Sequence, residues 1–258
     1  MALHAVRLPI RLLRFARFST AALRDLSRTV TPFEAASGAK DYRRRAEWTH
    51  RHARILCRIM NWNVTHSGAI PQAQVYGSNH LGYLDIVTIA STTPVVFVSK
   101  AEVRQWPVVG RLATGGGTLY LQREKKGELT SVIRQFEEVA SHGIPVVVFL
   151  EGTSSGGEGV LPFRPSLLAP AVEAGWQVAP LALDYAISEG TVANDVAYWR
   201  DMTFVPHFFR LLSAERLDAR VTYGAARSAG TDRKVLARQL HDEVAQLRRP
   251  LASGSPSR

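Results

Sequence analysis

Residues 144–150 read Ile-Pro-Val-Val-Val-Phe-Leu, a run without a single polar side chain. A strand with one wet face alternates polar and apolar residues. A run that never alternates is expected of a strand buried on both faces. Such a strand needs a layer on each side of its sheet, normally of helices. The surrounding sequence supplies them. Short apolar or β-branched runs predict strands at 74–76, 95–99, 118–122 and 178–183. Helical spacing or start signals appear at 85–90, 129–140, 166–174 and 232–248, with a short helix or turn at 108–113. In the second of these helices Val132, Phe136 and Val139 share a face, and His142-Gly143 stops it. The alternation predicts an α/β fold, a mostly parallel sheet flanked by helices. The 258 residues suit one such domain with an appendage, and 46% hydrophobic against 21% charged residues disfavours disorder. Residues 251–258 read as a disordered tail.

Charge is distributed unevenly. The chain carries a net charge of +10. Residues 1–58 hold 13 basic and 4 acidic side chains, and the other 200 residues hold 19 and 18. A protein that coats nucleic acid would be basic throughout, so no nucleic-acid partner is expected. Arg7, Arg11 and Arg14 fall on one helical stripe amid apolar neighbours, with Pro9 near the first turn or kinking the helix. Arg44, Arg51, Arg54 and Arg58 form a second stripe, beside Trp48, Ile55, Ile59 and Trp62. Arg beside Trp and aliphatics predicts a helical segment, residues 1–65, lying in the plane of an anionic membrane surface. A plain amphipathic helix packed on the body, or an organelle transit peptide, would share this pattern. No run of about 18 apolar residues exists, so no membrane-spanning helix is expected. The one cysteine, Cys57, leaves no internal disulfide and no Cys-rich zinc site.

Three polar clusters interrupt the body, residues 66–250. Asn79-His80 is followed after four residues by Asp85; a loop His and a helix-opening Asp can meet, fixing the tautomer and leaving one ring nitrogen to take a proton. Gly117 to Arg123 places Arg123 past a strand end, where α/β sheets hold ligands and an Arg can clamp phosphate. Glu151-Gly152-Thr153-Ser154 follows the most buried strand. Each cluster alone also fits a plainer structure: a satisfied loop histidine, a basic turn, a Glu-Gly turn.

Together and in this order they resemble the motifs of PlsC-type lysophospholipid acyltransferases, the 1-acyl-sn-glycerol-3-phosphate acyltransferase superfamily. Asn79-His80 to Asp85 is similar to the first motif, Gly117–Arg123 to the second and Phe149-Leu150-Glu151-Gly152-Thr153 to the third. Val178-Ala179-Pro180-Leu181 is similar to the fourth, and the likeness spans residues 72–185. It implies transfer of a fatty acyl group from acyl-CoA or acyl-ACP to a lysolipid hydroxyl, without metal or redox cofactor. His80 would be the base and Asp85 would orient it. Arg123 would bind the acceptor's phosphate, with Arg164 assisting. Asn79, Gly117, Glu151, Gly152, Thr153 and Ser154 would shape the acceptor site, Lys100 would lie near the thioester and Pro180 by the donor channel. The implied partners are the lysolipid, an anionic membrane surface and, for an ACP donor, acyl carrier protein. The implied location is the cytoplasmic face of the inner membrane. Two departures bear on the acceptor. Gln122 precedes Arg123 where the family commonly has an acid, and Ser154 stands where phosphatidate-forming members commonly have Arg. 1-Acyl-sn-glycerol-3-phosphate is the first expectation, and lyso-ornithine lipid or another lysolipid the alternative. Two other classes compete: a serine hydrolase built on Gly152-Thr153-Ser154-Ser155-Gly156 with His207 or His241, and a non-enzymatic basic binding module.

Overall fold

A computed structural model describes residues 2–37, 40–106, 108–121, 128–249 and 251. Three helices open the chain: α1 (Ala2–Thr29), α2 (Thr31–Ser37) and α3 (Tyr42–Met60). The α/β body then runs β1 (Trp62–Ser67), β2 (Val75–Ser78), α4 (Leu84–Thr92), β3 (Val96–Lys100), α5 (Val109–Gly115), β4 (Leu119–Leu121) and α6 (Glu128–Ser141). It continues through β5 (Val146–Phe149), α7 (Ala169–Glu173), β6 (Gln177–Ile187), α8 (Phe204–Ser213), β7 (Leu217–Tyr223), β8 (Arg227–Ser228) and α9 (Arg233–Leu247). All but Leu251 of the expected tail at 251–258, and Gln122 to Gly127 with Arg123 among them, lie outside the described residues.

The strands form one sheet in the order β1-β7-β6-β2-β5-β3-β4, with β8 pairing β6. All neighbours are parallel except β6 with β7 and β8. The apolar run at 144–150 is the reason for the layering. Val147 points into one core and Val146 and Val148 into the other. The first core is covered by α1, α3, α4 and α8, the second chiefly by α6, α7 and α9. Asp41 caps α3 by accepting from the Arg44 N–H, and left-handed Asn61 ends it, turning the chain directly into β1.

The N-terminal segment departs from the expected appendage. Residues 62–67 pair with β7 inside the sheet, so the division expected after residue 65 falls within β1. Trp48 and Trp62 are buried core residues. The Arg7–Arg11–Arg14 stripe turns inward, toward protein. Arg11, 8% exposed, donates to the carbonyls of Leu212, Ala214 and Glu215 at the end of α8. Arg7 pairs with Glu215 at 2.8 Å and Glu189 at 3.4 Å, and Arg14 donates to Ile59 O at 3.3 Å. Helix spacing put these cations on one face; the free carbonyls at the α8 C-terminus decided what that face meets. The exposed cations of α1 are Arg14, at the edge of this face, and Arg17, Arg24 and Arg28 beyond it. The helix passes through Pro9. Among the described residues, no helix is long and apolar enough to cross a membrane.

Candidate active site

The site lies beyond the C-terminal ends of the parallel strands, where an open α/β sheet leaves a crevice. β2 ends at Ser78, the chain loops through Asn79–Tyr83, and α4 starts at Leu84. His80 therefore sits in the loop and Asp85 in the first helical turn. His80 Nδ1 stands 2.7 Å from Asp85 Oδ2. The same oxygen accepts from the Leu81 N–H at 2.7 Å and the Gly82 N–H at 3.0 Å. A carboxylate accepts only, so Nδ1 carries the proton and Nε2 of the neutral ring presents a lone pair. Among the described residues Nε2 has no hydrogen-bond partner. The side chain of His80 is 22% exposed and that of Asp85 1%: the ring can be reached by substrate and the carboxylate cannot. The imidazole also stacks on Phe149, centroids 4.0 Å apart. Two neighbouring strand ends thus hold the imidazole.

Glu151 supports the His80 loop from β5. Its Oε1 accepts the His80 N–H at 3.4 Å, and the residue is 2% exposed. Burial foremost, with the Asp85 charge, pushes its carboxyl up to about 7; contacts with the His80 and Leu161 N–H groups and the Ser155 hydroxyl oppose this. A raised carboxyl is protonated in the folded chain where the unfolded chain is charged. Its contribution is therefore fully present below the ordinary glutamate value and is lost as pH rises through about 7. Glu151→Gln should remove that slope. Urea unfolding at pH 5 and pH 8 should show the wild type losing on the order of 2–3 kcal/mol relative to the variant. Equal slopes would refute the assignment.

The neighbouring loop is held by backbone and hydroxyl contacts. Gly152 has φ +68°, and a Cβ there would lie 2.6 Å from Arg164 Cδ. Arg164 folds over this glycine, donates to the Glu151 carbonyl at 3.2 Å and is otherwise exposed. Ser154 Oγ donates to Tyr198 O at 2.6 Å, and the Tyr198 N–H donates to Leu81 O at 2.8 Å. Tyr198 thereby ties the Ser154 loop to the His80 loop. This geometry opposes the serine hydrolase. The Ser154 proton is directed at a carbonyl, and irregular chain rather than a helix follows. His207 is buried against the Tyr83 hydroxyl at 2.8 Å, and His241 contacts Val160 O and Asp242.

A largely apolar cavity of about 380 Å³ adjoins His80. Gly152, Thr153, Ser154 and Lys100 line its polar side. Its apolar walls include Phe15 and Phe18 of α1, Trp48 and Leu56 of α3, Val87 of α4 and Phe208 of α8. The N-terminal helices are thus part of the site, a role no motif marked. Arg104, in the 3-10 turn before α5, and Arg111 of α5 border a separate groove against α1.

Three expected contributors lie elsewhere. Asn79, 1% exposed, donates to Leu183 O at 3.1 Å and accepts from the Leu183 N–H at 2.8 Å, clamping β2 to β6. Pro180 is buried within β6, away from the cavity. Its carbonyl accepts from Gly224, so its nitrogen faces the gap where β7 ends and β8 begins, and the missing N–H costs no ladder bond. Gly117, with φ +83°, turns the chain against Tyr42 and Arg45 beneath α3, while its neighbours Gly116 and Thr118 reach the cavity. The position of Arg123 is outside the described residues.

Comparisons with known proteins bear on the family and the fold. A family model described as Acyltransferase matches residues 61–184. The lyso-ornithine lipid O-acyltransferase of Pseudomonas aeruginosa is 34% identical over 191 residues, 73% of each chain. The 1-acyl-sn-glycerol-3-phosphate acyltransferase of Neisseria meningitidis serogroup B is 28% identical over 176 residues, 67% of this chain and 69% of that one. The crystal structure of PlsC, the 1-acyl-sn-glycerophosphate acyltransferase of Thermotoga maritima, superposes with a TM-score of 0.59 at 16% identity, covering 92% of this chain and 95% of that one. The matching α/β fold and the relatives together define an O-acyltransferase. The chain belongs to the PlsC-type lysophospholipid acyltransferase family.

Proposed function

We propose that this enzyme transfers a fatty acyl group from acyl-CoA or acyl-ACP to the free hydroxyl of a lysolipid by direct attack. The observation that carries the reading is His80, with Nδ1 tied to Asp85 and Nε2 unpartnered among the described residues beside an apolar cavity. Nε2 takes the hydroxyl proton as the oxygen attacks the thioester carbonyl. The C–O bond forms, the C–S bond breaks, and the imidazolium returns the proton to the departing thiolate. Asp85 stabilises the imidazolium without moving. The apolar cavity suits a hydrocarbon chain.

For the acceptor, Ser154 favours a lyso-ornithine-type headgroup over a phosphomonoester. Its hydroxyl is committed to Tyr198, and it supplies no positive charge. A phosphomonoester calls for several cations, whereas the carboxylate and ammonium of an ornithine headgroup balance each other. The 34% and 28% relatives bear names that divide the same way. 1-Acyl-sn-glycerol-3-phosphate is the second reading, supported by the exposed Arg164 and by Arg123 in sequence. Exposed Arg17, Arg24 and Arg28, with Ile10 and Leu13 of the same helix, support docking on an anionic cytoplasmic leaflet.

Purified protein given labelled acyl-CoA or acyl-ACP and a panel of lysolipids, read by mass spectrometry, should form the diacylated ornithine lipid. Its rate should exceed that with 1-acyl-sn-glycerol-3-phosphate by about tenfold, the equivalent of one charged hydrogen bond. The reverse ratio selects the second reading. No acyl product from any pair overturns both.

A further inference from the structure

Tyr185 is on β6, two residues beyond Leu183 on the same face of the sheet. Its hydroxyl donates to Asp85 Oδ1 at 2.7 Å and lies 3.1 Å from Thr88 Oγ1. The two carboxylate oxygens have unequal surroundings. Oδ2 meets His80 and two backbone N–H groups, whereas among the described residues Tyr185 is the donor to Oδ1 and has no companion there. Asp85 is fully buried and Thr88 1% exposed, so solvent does not replace a lost donor at this oxygen.

We propose that Tyr185 is a positioning residue for the His80–Asp85 pair, its hydroxyl pinning Asp85 Oδ1 so that Oδ2 stays aimed at His80 Nδ1. The proposal rests on the acyl-transfer reading above. The three donors to Oδ2 hold one oxygen only, and the plane of the carboxylate can still tilt about them. Anchoring the far oxygen removes that freedom. Tyr185 suits the task because burial raises its phenol far above the ordinary tyrosine value, so it remains a donor at every working pH. The other titratable groups packed around the pair are Glu151, which meets the His80 N–H, and Cys57 of α3, near Tyr185. Neither bonds Oδ1.

Tyr185→Phe keeps the ring and deletes the hydrogen bond. With the acyl donor and lysolipid that the wild type uses, kcat should fall about 10–100-fold while both KM values stay within about threefold. With one donor gone, Asp85 holds the proton shared with His80 more tightly, so the acid limb of the pH–rate profile should move to higher pH. A loss of packing alone would leave that limb in place. Site-specific 3-fluorotyrosine at position 185 is a stronger donor of nearly the same shape, and should move the limb to lower pH. It decides the matter if the phenylalanine variant fails to fold. A wild-type kcat and limb in folded Y185F, or an unmoved limb with fluorotyrosine, overturns the proposal while the acyl-transfer reading stands. A wild type that acylates no lysolipid removes the reading and this proposal together.

Discussion

Replacing His80 with alanine should lower kcat for acyl transfer on the order of 10³-fold, the range expected when a general base is deleted. KM for both substrates should change little. The cavity walls come from α1, α3, α4 and α8, and the Gly152–Ser154 loop is held by Tyr198 and Arg164, so neither depends on the imidazole. Some stability should be lost, since the ring stacks on Phe149 and answers a buried carboxylate. The variant must therefore be shown folded by circular dichroism before its kinetics are read. Steady-state rates at saturating lysolipid then decide. A folded H80A that retains a tenth of the wild-type kcat would remove His80 from the reaction.

Arg11→Ala should be the most destabilising of the arginine substitutions considered. This guanidinium is buried and satisfies three carbonyls at the end of α8. Its burial, followed by the charges of Arg7 and Arg14, lowers its pKa, and Glu215 opposes that shift. Truncation removes this donor from the buried Leu212 and Ala214 carbonyls, while the Glu215 carbonyl keeps Asn61 Nδ2 at 3.2 Å. Charge-assisted hydrogen bonds contribute about 1.5–3 kcal/mol each, and they are not additive here because one side chain makes all three. A loss of about 3–5 kcal/mol is expected, a large part of a typical folding free energy. The melting temperature should drop by roughly 10 °C. Exposed Arg17→Ala should shift it by little. Calorimetry on the two variants tests this, and an R11A melt within 2 °C of wild type would refute the inward assignment. Because α1 carries Phe15 and Phe18 into the cavity wall, the variant should also lose activity out of proportion to its distance from His80.

The middle of the sheet was legible because β5 and residues 178–183 of β6 are apolar without interruption. Val146–Phe149 and the middle of β6 cannot be read as amphipathic surface. The His80–Asp85 pair was legible because a resemblance joined two residues that spacing alone leaves ambiguous. What escaped has physical causes. β1 alternates Trp62, Val64 and His66, a period-two signal hidden at the end of a helical stripe. β7 alternates Leu217, Ala219, Val221 and Tyr223 beyond the last motif. Tyr185 is a hydroxyl on an apolar strand face, which in retrospect asks for a buried partner. Asn79 shows the converse limit. A polar residue beside a catalytic one is indistinguishable in sequence from one that staples two strands. The arginine stripe shows another: periodicity tells which residues share a face, and only the packed neighbour tells whether that face meets lipid or protein.

The pairing of β1 with β7 sets a timetable for synthesis. Asn63 and Asp218 bond across 155 residues of chain. At about 5–20 residues per second, roughly 8–30 s separate the emergence of these two strands from the ribosome. Over that interval the helices that will wall the cavity are made while the α8 carbonyls awaiting Arg11 do not yet exist. Phe15, Phe18, Trp48 and Leu56 then lack the cover of α8. The basic N-terminal segment, with that apolar face uncovered, is a surface that either a chaperone or a bilayer can take up. Folding of the catalytic chamber is thus a late event, closed by the last quarter of the chain.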